Sequence, residues 1–319
     1  GPPPRTMRVY ALRGEESAWF GGPCYFGSRA LFGQLSAADF DTRHRSGGKT
    51  LADCMRAVGA DMAVLRRGAP LIDPAALTCW IELHIEQGPV LVARDKPVGL
   101  VTGIRGNVRH RKVICHGEAA HSGAVPRWLR HDAVLAMSDL LVRLDEHWRV
   151  LLEWGEDLVL TSGIVETDPR EHALSRVPGA VSFALEYRSQ DRKTLESFGK
   201  LVERECAQVA SRRGVRFELG PSSLTEPARM SPRVIELLEG VCAQLGIAPE
   251  IMPSGAGHDT SIFANAGVPT GMIFVRNDKG SHNPHESMEY DDFFLACAVL
   301  ARALATAANS PPAPPEPKS

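Results

Sequence analysis

The residues of this sequence that are best suited to chemistry are carboxylates and histidines in short polar segments beside apolar runs. Glu15 and Glu16 are adjacent and follow the apolar segment 7–12. In open α/β sheets, ligands gather at the carboxyl ends of strands. If 7–12 is a strand, one carboxylate could bind a metal ion while the other moves protons. The alternative for this pair by itself is a solvated loop.

A histidine stands at the end of a second apolar run. His84 belongs to the run 80–85 and to the string Glu-Leu-His-Ile-Glu-Gln-Gly-Pro over residues 82–89. A neutral imidazole beside polar residues and a Gly-Pro break could ligate zinc. A core histidine with satisfied hydrogen bonds is the alternative.

Three further segments carry candidate polar groups. His282 and His285 follow an expected strand, with Glu286 as a possible partner of a metal-binding histidine. The glycine-rich turn 254–259 could bring its backbone amides close to an anionic or carbonyl group, although it could also serve only to reverse the chain. His121 lies in a loop of small residues before an expected helix.

The pattern of apolar residues indicates the elements that must position these groups. Apolar or alternating runs predict strands at 7–12, 80–85, 99–104, 113–116, 158–165, 181–188, 215–219 and 270–275. Amphipathic stretches predict helices at 126–144, 192–212, 232–245, 260–264 and 290–305. The order strand–helix–strand–strand–helix–strand over about 104–221 is that of a ferredoxin-like α+β insert. The flanking elements predict the α/β domain that it interrupts.

Composition narrows the classes of function. The 319 residues are 44% hydrophobic and 23% charged, and 36 Lys+Arg against 38 Asp+Glu give a net charge of −2. A nucleic-acid-binding protein would usually show a basic excess, and no apolar run approaches the ~18 residues of a membrane helix. Seven dispersed cysteines without a CxxC pair predict reduced thiols in a cytoplasmic protein.

Together and in this order, these segments resemble the M20-type zinc amidohydrolases. Within that family the sequence is most similar to the hydantoinase/carbamoylase branch, which contains N-carbamoyl-L-amino acid hydrolases, allantoate amidohydrolases and β-ureidopropionases. The resemblance runs from about residue 7 to residue 305, and the string Leu-His-Ile-Glu-Gln-Gly-Pro is highly specific to this branch. The segments that carry it are Glu15-Glu16, 82–89, 117–126, Val177-Pro178-Gly179 with Arg188, 255–259 and 281–286.

The resemblance implies a role for each matching residue of the α/β domain. Glu15 would be the general base that activates water. Glu16 and His282 would ligate one metal ion, and His84 would ligate the other. The ions would be zinc, manganese or cobalt, with two per site in the family. The substrate pocket would be lined by Gln87, Gly255 and Gly257.

The resemblance also implies that the insert is a lid and dimerisation domain. His121 would reach into the partner subunit's site and stabilise the oxyanion, and Arg188 would bind the substrate carboxylate through a bidentate pair. Ser175 stands where relatives often have an asparagine that acts with this histidine, and a hydroxyl has a shorter reach. We therefore expect a homodimer formed through residues 104–221.

The resemblance places a further histidine and a bridging aspartate before the glutamate pair. In this sequence no histidine precedes His44 and no aspartate precedes Asp39. We therefore expect an incomplete metallopeptidase-like sheet domain made of 1–103 and 222–307, followed by a disordered tail at 308–319. At most one zinc ion per chain and strongly reduced hydrolysis are expected in consequence.

The predicted function is metal-dependent hydrolysis of the C–N amide bond of a small ureido or N-carbamoyl acid, of the allantoate or N-carbamoyl amino acid type. The chain would be an amidohydrolase acting on linear amides, with no nucleic-acid or membrane partner. One alternative is a metal-poor relative that only dimerises or binds a small acid. A metallopeptidase or deacylase of the same superfamily is the other.

Overall fold

The chain folds into two compact units. The computed structural model describes residues 3–16, 19–20 and 24–310. One unit, here called the split unit, contains residues up to Ile104 and from Ala228 onward, and the inserted unit spans Arg105–Pro227. The inserted unit ends later than the predicted insert at 104–221, because the strand Ser222–Thr225 pairs with another strand of that unit.

The elements follow one another through the split unit, the inserted unit and the split unit again. The first part of the split unit contains α1 (Phe26–Leu31), α2 (Ala37–Asp41), α3 (Leu51–Ala57), α4 (Met62–Leu65), β1 (Trp80–Ile85), α5 (Val90–Ala93) and β2 (Val98–Ile104). The inserted unit contains β3 (Gly106–His116), β4 (Ala120–His121), α6 (Ala133–Glu153), β5 (Val159–Thr161), β6 (Val165–Glu166), β7 (Arg176–Val177), β8 (Ala180–Ser189), α7 (Arg192–Arg213), β9 (Arg216–Glu218) and β10 (Ser222–Thr225). The split unit is completed by β11 (Ala228–Arg229), α8 (Pro232–Gln244), β12 (Glu250–Ser254), α9 (Thr260–Asn265), β13 (Thr270–Val275) and α10 (Tyr290–Asn309).

The sheet of the split unit has the order β1-β13-β2-β11, and β12 also pairs with β2. Strands β1 and β13 are parallel, with Ile85 opposite Val275 at their carboxyl ends. The polar segments that follow these two strands therefore leave the sheet at the same edge. One segment carries Gln87 and the other carries His282.

Strand β13 lies at the centre of the core. All six of its residues are buried, and apolar side chains cover both of its faces. Ile273 packs with Leu238 of α8 and Val299 of α10, whereas Met272 and Phe274 pack in a separate cluster on the other face. Burial on both faces explains why this strand reads as a continuous apolar run in the sequence.

The inserted unit is built on an antiparallel sheet with the order β10-β3-β8-β5, in which β9 also pairs with β3 and β6 with β8. The strand positions β9/β10, β3, β8 and β5/β6 follow the ferredoxin-like topology, and the predicted fold class is confirmed. Helices α6 and α7 cover one face of the sheet, where Phe183, Leu185 and Tyr187 of β8 are buried. The alternation along β8 puts Glu186 and Arg188 on its other face.

Two predicted elements near candidate site residues differ in the structure: one strand is absent among the described residues, and one helix begins later. Residues 7–12 do not form a strand: Val9 is 94% exposed, and no ladder joins this segment to another described segment. The helix predicted from Pro126 begins at Ala133, because Asp132 caps it by accepting a hydrogen bond from the backbone N–H of Leu135 at 3.0 Å.

Two smaller corrections concern the predicted strand 158–165 and the tail. The strand is divided into β5 and β6, and between them the Ser162 hydroxyl donates to the Ala184 carbonyl at 2.9 Å. Helix α10 continues to Asn309 and buries Ala308, so the boundary predicted at 308 is wrong. Residues 311–319 lie outside the described residues.

Two general features of the sequence have structural counterparts. All seven cysteines are free thiols. Among the described residues, no helix combines the length and apolar character needed to cross a bilayer.

Candidate functional site

Glu15 and Glu16 are positioned by a backbone turn rather than by the end of a strand. Gly14 has a φ of +75°, which favours glycine. Its carbonyl accepts a hydrogen bond from Phe26 N at 3.0 Å, and the Glu15 carbonyl accepts one from Tyr25 N at 3.2 Å. These bonds attach both glutamates to the start of α1. The Glu15 side chain is 21% exposed and that of Glu16 is 48% exposed, so Glu15 is the more enclosed carboxylate.

His84 extends from β1 with a defined ring orientation. Its Nδ1 lies 2.8 Å from the carbonyl oxygen of Ile85. Because a carbonyl can only accept, Nδ1 carries the hydrogen and Nε2 keeps a free lone pair. Metal-binding histidines usually have this arrangement, in which one ring nitrogen donates to a carbonyl and the other faces the ion.

The next two residues of the same string differ in role: Glu86 is structural, whereas Gln87 is a candidate site residue. Glu86 is buried, and its carboxylate accepts hydrogen bonds from the backbone N–H groups of Val90 at 2.7 Å and Leu91 at 2.8 Å. It therefore caps α5. Gln87 has a φ of +59°, and its backbone N–H donates to Asn277 Oδ1 at 2.9 Å.

Glu16 meets His282 in the loop after β13. Glu16 Oε1 lies 3.2 Å from His282 Nε2, and Gln87 Nε2 lies 3.2 Å from the same nitrogen. The backbone of His282 has a φ of +60°, and its N–H donates to Glu286 Oε2 at 2.8 Å. The structure thus brings together three residues that were selected from the sequence.

His258 is a site residue that the sequence analysis missed. Its side chain is fully buried, its ring centroid lies 4.4 Å from that of His84, and its Nδ1 lies 3.9 Å from Glu15 Oε1. The sequence did contain a signal, because His258 directly follows Gly257 in the turn whose glycines were assigned to the pocket. Its burial, which depends on how this turn packs, was not visible in the residue pattern.

The turn around His258 is closely packed. A Cβ added to Gly257 would lie 2.0 Å from the Tyr25 hydroxyl oxygen, so the position has no room for a side chain while Tyr25 keeps its place. Gly255 lies in the same turn, two residues earlier. The packing brings Tyr25, whose backbone N–H donates to the Glu15 carbonyl, against the turn that carries His258.

A divalent metal ion suits this group of residues. One ligand atom each from Glu15, His84 and His258 lie within 4.8 Å of one another. His258 Nδ1 is a buried atom without a hydrogen-bond partner among the described residues, and such an atom normally faces a water molecule or an ion. Two imidazole nitrogens and one carboxylate oxygen are a donor set that zinc, manganese and cobalt accept.

The electrostatics of the site also favour a cation. Burial, followed by repulsion from Glu16, Asp259 and Glu82, raises the pKa of Glu15 to about 8. Burial raises the pKa of Asp259 to about 6, and burial with a contribution from His84 lowers the pKa of His258 to about 3. A cation would relieve the carboxylate repulsion, and His258 is already neutral, as a metal-binding imidazole must be.

His121 and Ser175 lie together in the inserted unit. His121 is opposite Arg176 in the β4–β7 pair, and the Ser122 N–H donates to the Ser175 carbonyl at 2.8 Å. The Nδ1 of His121 accepts from the backbone N–H groups of Gly123 and Ala124, both at 3.2 Å. The hydrogen is therefore on Nε2, where it can be donated to another group.

Arg188 lies at the other end of the same unit. It is near the end of the ten-residue strand β8, whereas β4 and β7 lie beyond the first residue, Ala180. At ~3.3 Å per residue, Ala180 and Arg188 are about 26 Å apart along β8. Glu186 accepts from Arg188 Nε at 2.5 Å and also from Arg109. Within one inserted unit, Arg188 and His121 therefore belong to different places.

Comparison with curated proteins finds relatives that act on ureido and carbamoyl compounds. The allantoate amidohydrolase of Escherichia coli K12 is 32% identical over 302 residues, which cover 94% of this chain and 71% of that protein. The N-carbamoyl-L-amino acid amidohydrolase of Geobacillus stearothermophilus is 34% identical over 299 residues, which cover 93% and 69%.

Comparison with solved structures gives the same picture. An amidase of the hydantoinase/carbamoylase family from Burkholderia multivorans superposes with a TM-score of 0.79 at 25% identity and covers 94% of this chain and 70% of its own. Residues 1–306 match the family described as Peptidase family M20/M25/M40. The chain belongs to this peptidase family, M20/M25/M40.

Proposed function

We propose that this chain is a metal-dependent amidohydrolase that cleaves the C–N amide bond of a ureido or N-carbamoyl acid. The observation that carries the proposal is the convergence of Glu15, Glu16, His84 and His282 from three distant parts of the sequence. The activities in the names of the relatives from Escherichia coli and Geobacillus stearothermophilus support this class of substrate.

Two groups of side chains would hold metal. Glu16 and His282 form one group, and His84 belongs to the other. A zinc, manganese or cobalt ion held there would supply Lewis-acid chemistry toward the ureido carbonyl and would make water more acidic. Because Glu15 is kept for proton transfer, few ligands remain in either group, and we propose that the chain holds at most one ion.

Glu15 is the proposed general base. It takes a proton from the attacking water and returns it to the leaving nitrogen as the C–N bond breaks. Its position supports this role, because the carboxylate is enclosed beside His84 and His258. Burial and the neighbouring carboxylates raise the pKa of Glu15 to about 8 in the metal-free protein, and a bound cation would lower that pKa toward neutral pH, where the carboxylate can accept a proton.

The remaining selected residues would bind substrate. Arg188 would hold the substrate carboxylate with its planar guanidinium, and the Nε2–H of His121 would donate to the carbonyl oxygen as negative charge develops there. The hydroxyl of Ser175, whose carbonyl accepts from the Ser122 N–H, would assist His121. The pocket would be lined by Gln87, Gly255 and Gly257.

A homodimer formed through the inserted unit would unite these groups. His121 and Arg188 lie near opposite ends of β8, about 26 Å apart, and a small acid cannot span that distance. The separation supports an arrangement in which the partner subunit supplies His121 to a site that contains Arg188. The free cysteines support a cytoplasmic location.

Release of ammonia from allantoate and from N-carbamoyl amino acids tests the proposal. The protein is assayed with added zinc, manganese or cobalt, and turnover of at least one of these acids is expected. Cleavage of dipeptides alone would favour the peptidase alternative. Thermal stabilisation by these acids without turnover would favour the binding protein.

A further inference from the structure

We propose that His258 is a metal ligand through Nδ1, beside His84, and that Ser254 is the residue that positions it. The family resemblance assigns metal binding to Glu16, His84 and His282 and gives His258 no role. The inference shares with the proposed function only the assumption that this site holds a divalent cation.

The hydrogen bonds of Ser254 determine which nitrogen of His258 is free. The Ser254 hydroxyl donates to the Ala256 carbonyl at 2.8 Å and accepts from the Ala256 N–H at 3.2 Å. Its oxygen also lies 2.9 Å from His258 Nε2. Because the single hydroxyl hydrogen is directed to the carbonyl, Nε2 must be the donor in this contact. The lone pair of His258 is therefore on Nδ1.

The environment of Nδ1 leaves a cation as the best partner. The atom is buried and has no hydrogen-bond partner among the described residues, and leaving it unpaired would cost about 1–3 kcal/mol. Glu15 Oε1 is the acidic oxygen that faces it, but the separation of 3.9 Å is too long for a hydrogen bond. Ligands of one zinc ion are typically about 3–4 Å apart.

His84 and His258 lie beside each other and have the same hydrogen-bonding arrangement. Nδ1 of His84 donates to the Ile85 carbonyl, and Nε2 of His258 donates to Ser254. Each ring thus uses one nitrogen for a fixed hydrogen bond and keeps the other as a neutral donor toward a metal ion. The ring centroids are 4.4 Å apart, so both can contribute to one ion.

The test measures binding of Co²⁺ to the full chain in the absence of substrate. Metal is removed with a chelator, and Co²⁺ is titrated while heat and visible absorption are recorded. In His258→Gln the amide nitrogen can still donate to Ser254, but no donor atom remains at the position of Nδ1. We expect this variant to bind Co²⁺ at least tenfold more weakly and to lose visible absorption, consistent with losses seen when metal sites are altered.

A matched pair of serine variants covers the case in which His258→Gln does not fold. Ser254→Ala removes the partner of the His258 ring and should weaken Co²⁺ binding about tenfold. Ser261→Ala removes a hydroxyl that donates to the backbone carbonyl of His258 at 2.7 Å and should leave Co²⁺ binding unchanged. Thermal unfolding of each variant establishes that the protein is folded.

Two results would overturn the proposal: a folded His258→Gln variant with wild-type Co²⁺ affinity and absorption, or equal affinities in the two serine variants. Failure of the proposed function is a different outcome. Suppose that the wild type hydrolyses no ureido acid while the His258→Gln variant still binds Co²⁺ more weakly than the wild type. That result would confirm His258 as a metal ligand and reject the proposed activity.

Discussion

Glu16 Oε1 and His282 Nε2 lie 3.2 Å apart, although 266 positions separate the two residues in the sequence. Neither residue is on a strand: Glu16 follows a backbone turn before α1, and His282 lies in the loop after β13. The contact joins the beginning of the split unit to its last strand. A carboxylate oxygen and an imidazole nitrogen at this distance can hydrogen-bond, and both are atoms that can ligate a cation.

Glu16→Gln should weaken binding of zinc by about tenfold or more, because a charged ligand oxygen is replaced by a neutral amide. Calorimetric titration of the metal-free protein measures the affinity. Glu236→Gln, an exposed change on α8, is the control and should bind zinc like the wild type. Equal affinity in Glu16→Gln and in the control would exclude Glu16 as a ligand.

Glu15→Gln should lower kcat by about 10²–10⁴-fold, because an amide cannot accept the proton of water. Steady-state assays at rising zinc concentration distinguish a base from a ligand. Excess zinc should restore activity to Glu16→Gln but not to Glu15→Gln. If zinc restores both variants equally, Glu15 acts only in metal binding.

Glu15 should also make the metal-free protein less stable as the pH rises. Its pKa is raised from 4.5 to about 8 in the folded state. Between these values the unfolded chain releases the proton and the folded chain retains it, so the free energy of unfolding falls with increasing pH. Glu15→Gln should therefore be more stable than the wild type by roughly 4 kcal/mol at pH 8 and about equal to it at pH 4. Urea unfolding at both pH values measures the difference in the free energy of unfolding between the variant and the wild type. The same difference at pH 4 and pH 8 would contradict the prediction.

Arg188→Lys should raise KM for a ureido acid by about 10–100-fold with a smaller effect on kcat, because lysine cannot form the two parallel hydrogen bonds of a guanidinium. Arg109→Lys is a matched control, since Arg109 binds the same Glu186 carboxylate from a neighbouring strand. A similar rise in KM for both variants would indicate that the effect comes from Glu186 rather than from substrate binding.

His121→Ala and Arg188→Ala should complement each other when mixed. Each variant alone should be nearly inactive. In a mixed dimer, one of the two sites combines an intact Arg188 with an intact His121 from the partner. Random exchange of subunits should restore roughly a quarter of wild-type activity. Activity that stays at the level of the separate variants after exchange has been verified would contradict a shared site.

The sequence was a good guide where a local pattern decides the structure. The run Thr270–Val275 is apolar throughout and forms the fully buried strand β13. Pro232 opens α8 as predicted, with Ser231 accepting from the N–H of Val234. In β8, the alternation of apolar and polar residues placed Arg188 on the face away from the helices. These features depend on neighbours in the chain.

Other features depend on tertiary contacts, or on a local helix cap that the apolar pattern does not show, and were missed. Residues 7–12 are mostly apolar like a strand, but a strand requires a partner, and Val9 remains exposed. Pro126 suggested a helix start, whereas the capping side chain of Asp132 determines where α6 begins. The role of His258 depends on a turn that buries its ring against His84. None of these contacts is encoded in local periodicity.

The most direct test of the central claim is the rate of ammonia release from allantoate and N-carbamoyl amino acids by the metal-loaded full chain, with Glu15→Gln measured in parallel. We predict zinc-, manganese- or cobalt-dependent turnover by the wild type, abolished by a chelator and reduced about 100-fold or more in Glu15→Gln. If the wild type and Glu15→Gln release ammonia at the same rate from every acid, this chain is not a ureido amidohydrolase that uses Glu15.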